Sequence, residues 1–247
     1  MDRLIYLAMT GAKYLLARQD TLAHNLANAS TPGFRAETTA FRSAPVSGIG
    51  SPTRVFAVES TPRADFSPGV ITRTGRDLDV ALSGRAWLAV QGHDGREGYT
   101  RAGSLRVDET GLLVTAGGLP VLSDSGPIAI PPDHRVTIAE DGTVTASPLQ
   151  PPLKSASAVG RIKLVSPPET ALARDADGLF RLRGGGSAEP DAQARLVPGA
   201  LESSNVNVAE AMIGMIAAAR QFDMHMKLLQ NAEGNARAGT QLLSVSA

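Results

Sequence analysis

From Met1 to about Ala27, apolar or small residues recur at Met1, Leu4/Ile5, Ala8, Gly11/Ala12, Leu15, Leu22 and Leu26. Steps of three and four, broken once at Arg18/Gln19, mark one face of a helix. The pattern runs into Asn25 and Asn28 and stops in the stretch "NLANASTPGFR". Asn28 is expected to close the helix as a left-handed cap. Pro32-Gly33 is expected to form a type II turn with Gly33 at positive φ. A second helical pattern opens at Asn207-x-x-Glu210, which has the form of a capping box. Its seam runs Val208, Met212, Met215, Ala219, Phe222, Met226, Leu229, Glu233, Ala236, Thr240, Leu243, in alternating steps of four and three. A heptad seam of that length predicts coiled-coil-like packing over about 35 residues, roughly 50 Å of helix.

Between these helices the pattern changes period. "DVALSGRAWLAVQG" reads as strands Asp79–Leu82 and Trp87–Gln91, joined around Ser83-Gly84. Asp94-Gly95 reads as a hairpin turn. "SLRVDETGLLVT" and "VTIAEDGTVTA" repeat the design, with tight turns at Glu109–Gly111 and Asp141-Gly142. "GRIKLVS" and "GLFRLRGG" add further short strands. Strand signals every 8–12 residues or so predict an all-β barrel or sandwich. Pro131-Pro132, Pro148, Pro151-Pro152 and Pro167-Pro168 exclude long helices here.

The predicted class is α+β. Residues 1–28 and 207–247 form a discontinuous terminal helical domain of coiled-coil type, and residues 76–200 form a central all-β domain. Residues 29–75 connect them, with 35–70 expected to run extended and to contact neighbouring subunits. The two terminal helices are expected to pack on each other, on copies from neighbouring molecules, or both.

Composition narrows the function. The 247 residues suffice for a real core, with 43% hydrophobic residues and 19% charged. Formal net charge is zero, so the basic surplus of a nucleic-acid protein is absent. With no cysteine, disulfide and thiol chemistry are excluded. No apolar run reaches eighteen residues, so the chain is not expected to be membrane-embedded. Polar residues interrupt the N-terminal apolar ones, and no small-residue cleavage site follows. A cleaved secretory leader is therefore not expected.

Candidate chemistry is sparse. His24, His93, His134 and His225 lack an HExxH spacing and read as surface or capping residues. Asp77/Asp79 and Asp94/Glu97 could serve a glycosidase as carboxylate pairs, but they sit where turns need polar residues. "DADG" at 175–178 lacks the rest of a calcium loop. "RGGGSAEP" at 183–190 lacks the lysine and helix of a phosphate loop. Met212, Met215, Met224 and Met226, at helical spacing, read as packing residues. No catalytic residue, cofactor or metal site is predicted.

The turn residues carry a resemblance. "NLANASTPGF" resembles the N-terminal signature of the bacterial flagellar axial proteins of rod and hook, "NxANxxTxGF", through Asn25, Ala27, Asn28, Thr31, Gly33 and Phe34. Pro32 stands where that pattern has a small polar residue. "ALESSNVNVAEAMIGMIAAARQFDMHMKLLQ" is similar to the family's C-terminal signature at Leu201, Glu202, Ser204, Asn205, Val206, Met215, Ile216, Arg220 and Phe222. "DLDVALSGRAWLAVQ", "YTRAGSLRVDETGLLVTAGGLPVL" and "GPIAIPP" are similar to the shared β domain, and the opening looks most like the proximal-rod members.

The resemblance implies a structural subunit without enzymatic activity or cofactor. It implies helical polymerisation into the rod, the drive shaft that crosses the periplasm and carries torque from motor to hook. Export would use the flagellar type III apparatus with an uncleaved signal. Partners would be copies of the chain and neighbouring proximal and distal rod proteins. The terminal helices would form an inner tube, with Leu15, Leu22, Leu26, Val208, Met212, Met215, Ala219, Phe222, Met226 and Leu229 as the assembly seam. Alternatives are a distal-rod or hook-type paralogue, a flagellum-associated cell-wall hydrolase relying on Asp77 or Asp79, and an extracellular β-rich binding module.

Overall fold

The computed structural model describes residues 2–45, 55–59, 63–149 and 156–245. Met1 and Pro151-Pro152 lie outside the described residues, as do the side chains of Leu4, Ile5, Ala236, Thr240 and Leu243. The chain divides into two compact units: Met1–Ala29 with Glu37–Asp65 and Val206–Ala247, and Ser30–Ala36 with Phe66–Asn205.

The first unit is built on two helices, α1 (Asp2–Ala27) and α2 (Val208–Val245). Asn207 caps α2 as its spacing predicts. Its side-chain oxygen accepts from the Glu210 amide at 3.3 Å, and its carbonyl accepts from the Ala211 amide at 2.9 Å. The helices pack antiparallel. Gly11 of α1 lies against His225 of α2, while Leu22 lies against Gly214. A methyl group on Gly11 would come within 2.5 Å of the His225 ring, and one on Gly214 within 3.2 Å of Leu22 Cδ1. His225, expected at the surface or at a cap, is instead half-buried against α1, because glycine leaves room for its ring.

Two further expectations for this unit are corrected. Asn28 does not adopt a left-handed cap, since Asp133 alone among the described non-glycine residues has positive φ. Its amide donates to the His24 and Asn25 carbonyls, and its side-chain nitrogen donates to the His24 carbonyl at 2.9 Å. That side-chain bond supplies the closure a left-handed residue would have given. Within residues 35–70, expected to run extended, the described residues fold back in two strand pairs, while 46–54 and 60–62 lie outside the described residues. Glu37–Thr38 pairs with Arg63–Ala64, and Phe41–Pro45 pairs with Val55–Glu59, both antiparallel. Backbone groups that an isolated extended chain would leave to water are thereby paired.

In the second unit the expected turns form. Gly95, Gly111 and Gly142 take φ of 77°, 81° and 86°. The aspartate of each turn accepts from an amide two residues on: Asp94 from Arg96, Asp108 from Thr110, and Asp141 from Thr143. These turns join Trp87–Gln91 to Glu97–Thr100, Leu105–Val107 to Leu113–Thr115, and His134–Ile138 to Thr143–Pro148. Of the two predicted forms, barrel and sandwich, the closed barrel does not form. Among the described residues no sheet closes on itself. A five-stranded antiparallel sheet has the order Leu164–Val165, Trp87–Gln91, Glu97–Thr100, Phe180–Leu182, Leu172–Arg174. A three-stranded sheet adds Ser157–Arg161 beside Thr143–Pro148, and the remaining strands form short pairs.

Alternation puts Val136 and Ile138, then Val144 and Ala146, inward from adjacent strands. Val136, Ile138 and Val144 join Val80, Leu82, Leu88, Val90, Leu105 and Leu113 in one apolar core. Ser83-Gly84 joins two strands that do not pair with each other: Val80–Leu82 pairs with Leu196–Pro198.

Candidate functional site

The N-terminal signature divides between the two units, and each part has a distinct structural task. In the helical unit, Asn25 is buried near the end of α1. Its side-chain nitrogen donates to the Glu37 carbonyl and its oxygen accepts from the Glu37 amide, both at 2.8 Å. An amide side chain is the one group that can pair with both backbone groups of a single residue in this way. Asn25 thus pins the first strand of the hairpin to α1. His24 adds a contact to the Glu37 carboxylate at 3.5 Å, and the hydroxyls of Thr21 and Thr39 meet at 2.9 Å. Ala27 is the last residue of α1, and its side chain is exposed.

In the β unit, Thr31 to Phe34 form the predicted turn. The Phe34 amide donates to the Thr31 carbonyl at 3.2 Å, Pro32 holds the second position, and Gly33 takes φ of 70° at the third. A Cβ at Gly33 would sit 2.2 Å from the Arg101 carbonyl, so glycine is required twice over. The Gly33 amide donates to the Glu202 carbonyl at 2.8 Å.

The C-terminal signature meets the N-terminal one at this turn. Glu202 is buried together with Arg35 and Arg101. One carboxylate oxygen lies 2.7 Å from Arg35 Nη2, and the other accepts from Arg101 Nε at 2.6 Å. The first oxygen also accepts from the Gly69 amide at 2.9 Å. Arg101 uses its remaining nitrogens on the carbonyls of Leu82, Gly84 and Ala86. Burial pulls the Arg101 guanidinium below its ordinary range, and Glu202 opposes that pull. Asn205 accepts from the Ala36 amide at 2.7 Å and donates to the Ser67 carbonyl at 3.0 Å. The Arg174 guanidinium lies between the rings of Phe34 and Phe180, 4.7 and 4.9 Å from their centroids, and donates to the Arg35 carbonyl. Three separate passes of chain are therefore locked around one buried carboxylate.

Arg35, Arg101 and Arg174 were not singled out from the sequence. Arg35 directly follows the signature and Arg101 lies in the quoted "YTRAGS", yet no local spacing links either to Glu202.

The predicted seam divides. In α1, Leu15, Leu22 and Leu26 are half-buried. In α2, Met215, Phe222 and Leu229 are half-buried, whereas Val208, Met212, Ala219 and Met226 are exposed. The line that α2 buries is Ala211, Ala218 and Ala232, interleaved with Met215, Phe222 and Leu229. Close helix approach selects the small residues, so the row facing α1 is one position away from the bulkier row.

The carboxylates considered for hydrolysis are engaged otherwise. Asp77 pairs with Arg135 at 2.6 Å, and buried Asp79 accepts from Thr74 and Arg76. Among the described residues no cluster of His, Asp and Glu could hold a metal ion, and no helix is long and apolar enough to cross a membrane.

Two helices from the chain ends, with their heptad rows and a separate β unit, define the architecture of an axial structural subunit. Three family models match in order: the flagella basal body rod protein family at residues 5–35, the flagellar hook protein FlgE/F/G D1 domain at 81–146, and the flagellar basal body rod FlgEFG protein C-terminal family at 197–242. The chain is 48% identical to the flagellar basal-body rod protein FlgF of Escherichia coli over the full length of both chains. It is 47% identical to that of Salmonella typhimurium, again over both full lengths, and 32% identical to that of Caulobacter vibrioides over 98% of each. The chain belongs to the FlgF family of flagellar basal-body rod proteins. It is a structural subunit of the flagellar basal body and not an enzyme.

Proposed function

We propose that the chain polymerises helically with copies of itself and with neighbouring rod proteins, forming part of the shaft that transmits torque from motor to hook. The observation that carries this reading is the exposed apolar row on α2, Val208, Met212 and Met226, in a helix that already packs on α1. Burying a large apolar side chain is worth about 1.5–3 kcal/mol, so leaving a row of them in water is costly unless another surface covers it. Coiled-coil-like packing of these rows between subunits would form the inner tube. Contacts that do not close on themselves generate a filament. The shaft would cross the periplasm, and the chain would reach it through the flagellar type III export apparatus with its N-terminus uncleaved.

Deleting the gene tests the reading. Non-motile cells without completed basal bodies are expected, and retained swimming would contradict it. Phe222→Asp or Leu229→Asp should block assembly while the β unit stays folded, because a charge enters an apolar seam. Normal motility in both variants would remove the seam from the account.

A further inference from the structure

The helical unit has an apolar surface on each side of the α1–α2 contact, and the two differ in shape. On α2, Met212 follows buried Ala211, Ala219 follows buried Ala218, and Met226 follows His225. One residue is about 100° around a helix, so this row lies on one flank of the contact. It projects, with Val208 and Met212 41% and 48% exposed.

Gln221, Met224 and Leu228 each precede a residue of the row facing α1, so they lie about 100° around the other way. There the surface is concave. A groove of about 470 Å³ is lined by Gly11, Tyr14 and Leu15 of α1 and by Met224, His225 and Leu228 of α2, with the polar Arg18 and Gln221 beside them. Gly11 is what opens it, because a side chain there would meet the His225 ring. The groove wall is mostly apolar, with Met224 and Leu228 well exposed.

We infer that the groove of one subunit receives the Val208–Met212–Met226 ridge of a second copy of this chain. The inference rests on the rod-subunit reading and gives it a direction. A protruding apolar row and an apolar groove stand on opposite flanks of one helix pair. Joining them between copies leaves one free ridge and one free groove at the ends of any array. Such a contact is heterologous and continues as an open series. If ridge packed on ridge and groove on groove, the contacts would be two-fold and the groove would stay unfilled. Methionine suits the ridge, since its flexible thioether fills an irregular groove without a fixed rotamer. Gly11, the small residue of the groove lining, permits the close approach that such packing needs.

The absence of cysteine makes the test direct. Full-length Met212→Cys and Met224→Cys chains, carrying different tags, are co-expressed in cells lacking the native gene. Basal bodies are isolated and treated with a short bismaleimide. Met226→Cys with Leu228→Cys is a second pair that samples another register. Mixed-tag dimers are expected at least tenfold above same-tag dimers in one or both pairs. Same-tag dimers of the Met212→Cys or Met226→Cys chain at equal yield would show a two-fold contact and overturn the inference. Cross-links only to other rod proteins would overturn it too, assigning the groove to a different occupant. Swimming and recovery of the tagged chains in basal bodies are scored separately. If no tagged chain is found in basal bodies, the rod-subunit reading itself fails, and this inference with it.

Discussion

In the β unit the side chains sealed from solvent are Val80, Leu82, Leu88, Val90, Leu105, Leu113 and their neighbours. Among the described residues of the helical unit the equally sealed ones are Ala8, Ala12, Ala211, Ala218 and Ala232, with Asn25, while Tyr6, Met9, Ile213 and Ile216 stand half or more exposed. Hydrophobic stabilisation scales with apolar area removed from water, so among the described residues the β unit gains from large buried side chains and the helical unit mainly from alanines. The two units use their polar residues differently as well. The β unit encloses an Arg35–Glu202–Arg101 cluster at the place where the chain enters and leaves it. The helical unit fastens its hairpin through Asn25, with Thr21 and His24 beside it. A unit that completes itself can hold a fixed shape outside a filament, and a unit that does not is suited to finding its remaining contacts in other subunits.

The largest test of this contrast is Glu202→Ala. It leaves two buried guanidinium groups without their carboxylate, and removing one partner of a buried pair costs about 3–5 kcal/mol. Denaturant unfolding followed through Trp87, which lies in the β unit, should show a loss of that order. A loss under about 1 kcal/mol would mean that the cluster does not hold the chain passes together.

Asn25→Ala comes next. It strands the amide and carbonyl of Glu37, at about 1–3 kcal/mol for unsatisfied buried groups. The loss should fall on the helical unit alone, read as faster exchange of the Glu37 amide with the Trp87 transition unmoved. A shift of both units together would break the division drawn here.

Met212→Asp should be smaller still for the isolated chain, within about 0.5 kcal/mol for an exposed site, yet it should exclude the chain from basal bodies. Normal incorporation would show that this row faces water in the assembly as well.

The smallest effect concerns pH. Asp108 is held below the usual carboxylate range by the bond it accepts from the Thr110 hydroxyl and then by the Leu112 amide. Asp141 is held low by the Thr143 amide and hydroxyl. A lowered folded value means that the contribution is fully present above the ordinary carboxylate range and is lost as pH falls through the folded value. The Trp87 transition should therefore weaken below about pH 4, less so in an Asp108→Asn/Asp141→Asn variant. An identical acid profile in that variant would remove the turn aspartates from the account.

Much of this was legible in the chain. The helices followed from spacing, Asn207 from its capping position, and the hairpins from aspartate–glycine turns that need positive φ. Pro32-Gly33 gave its turn type correctly. What escaped was long-range or steric. Glu202 lies over a hundred residues from either arginine it binds, and no periodicity encodes that pairing. The α2 rows 208/212/219/226 and 211/218/225/232 share Met215, Phe222 and Leu229 between them, so spacing alone gives two overlapping seams. Hydrophobicity favours the bulkier row, while close approach to α1 favours the alanines. By sequence alone Asn25 reads as part of a helix stop. Its actual work, pairing with both backbone groups of Glu37, depends on a strand whose partner, Arg63–Ala64, lies far along the chain.

Amide hydrogen exchange on the full-length chain, free in dilute solution and then within isolated basal bodies, tests the central claim most directly. The account predicts slow exchange across the β unit in both states. It predicts rapid exchange along α1 and α2 in the free chain, becoming slow on assembly. Terminal helices as protected in the dilute monomer as the strands around Leu88 and Leu105 would contradict it.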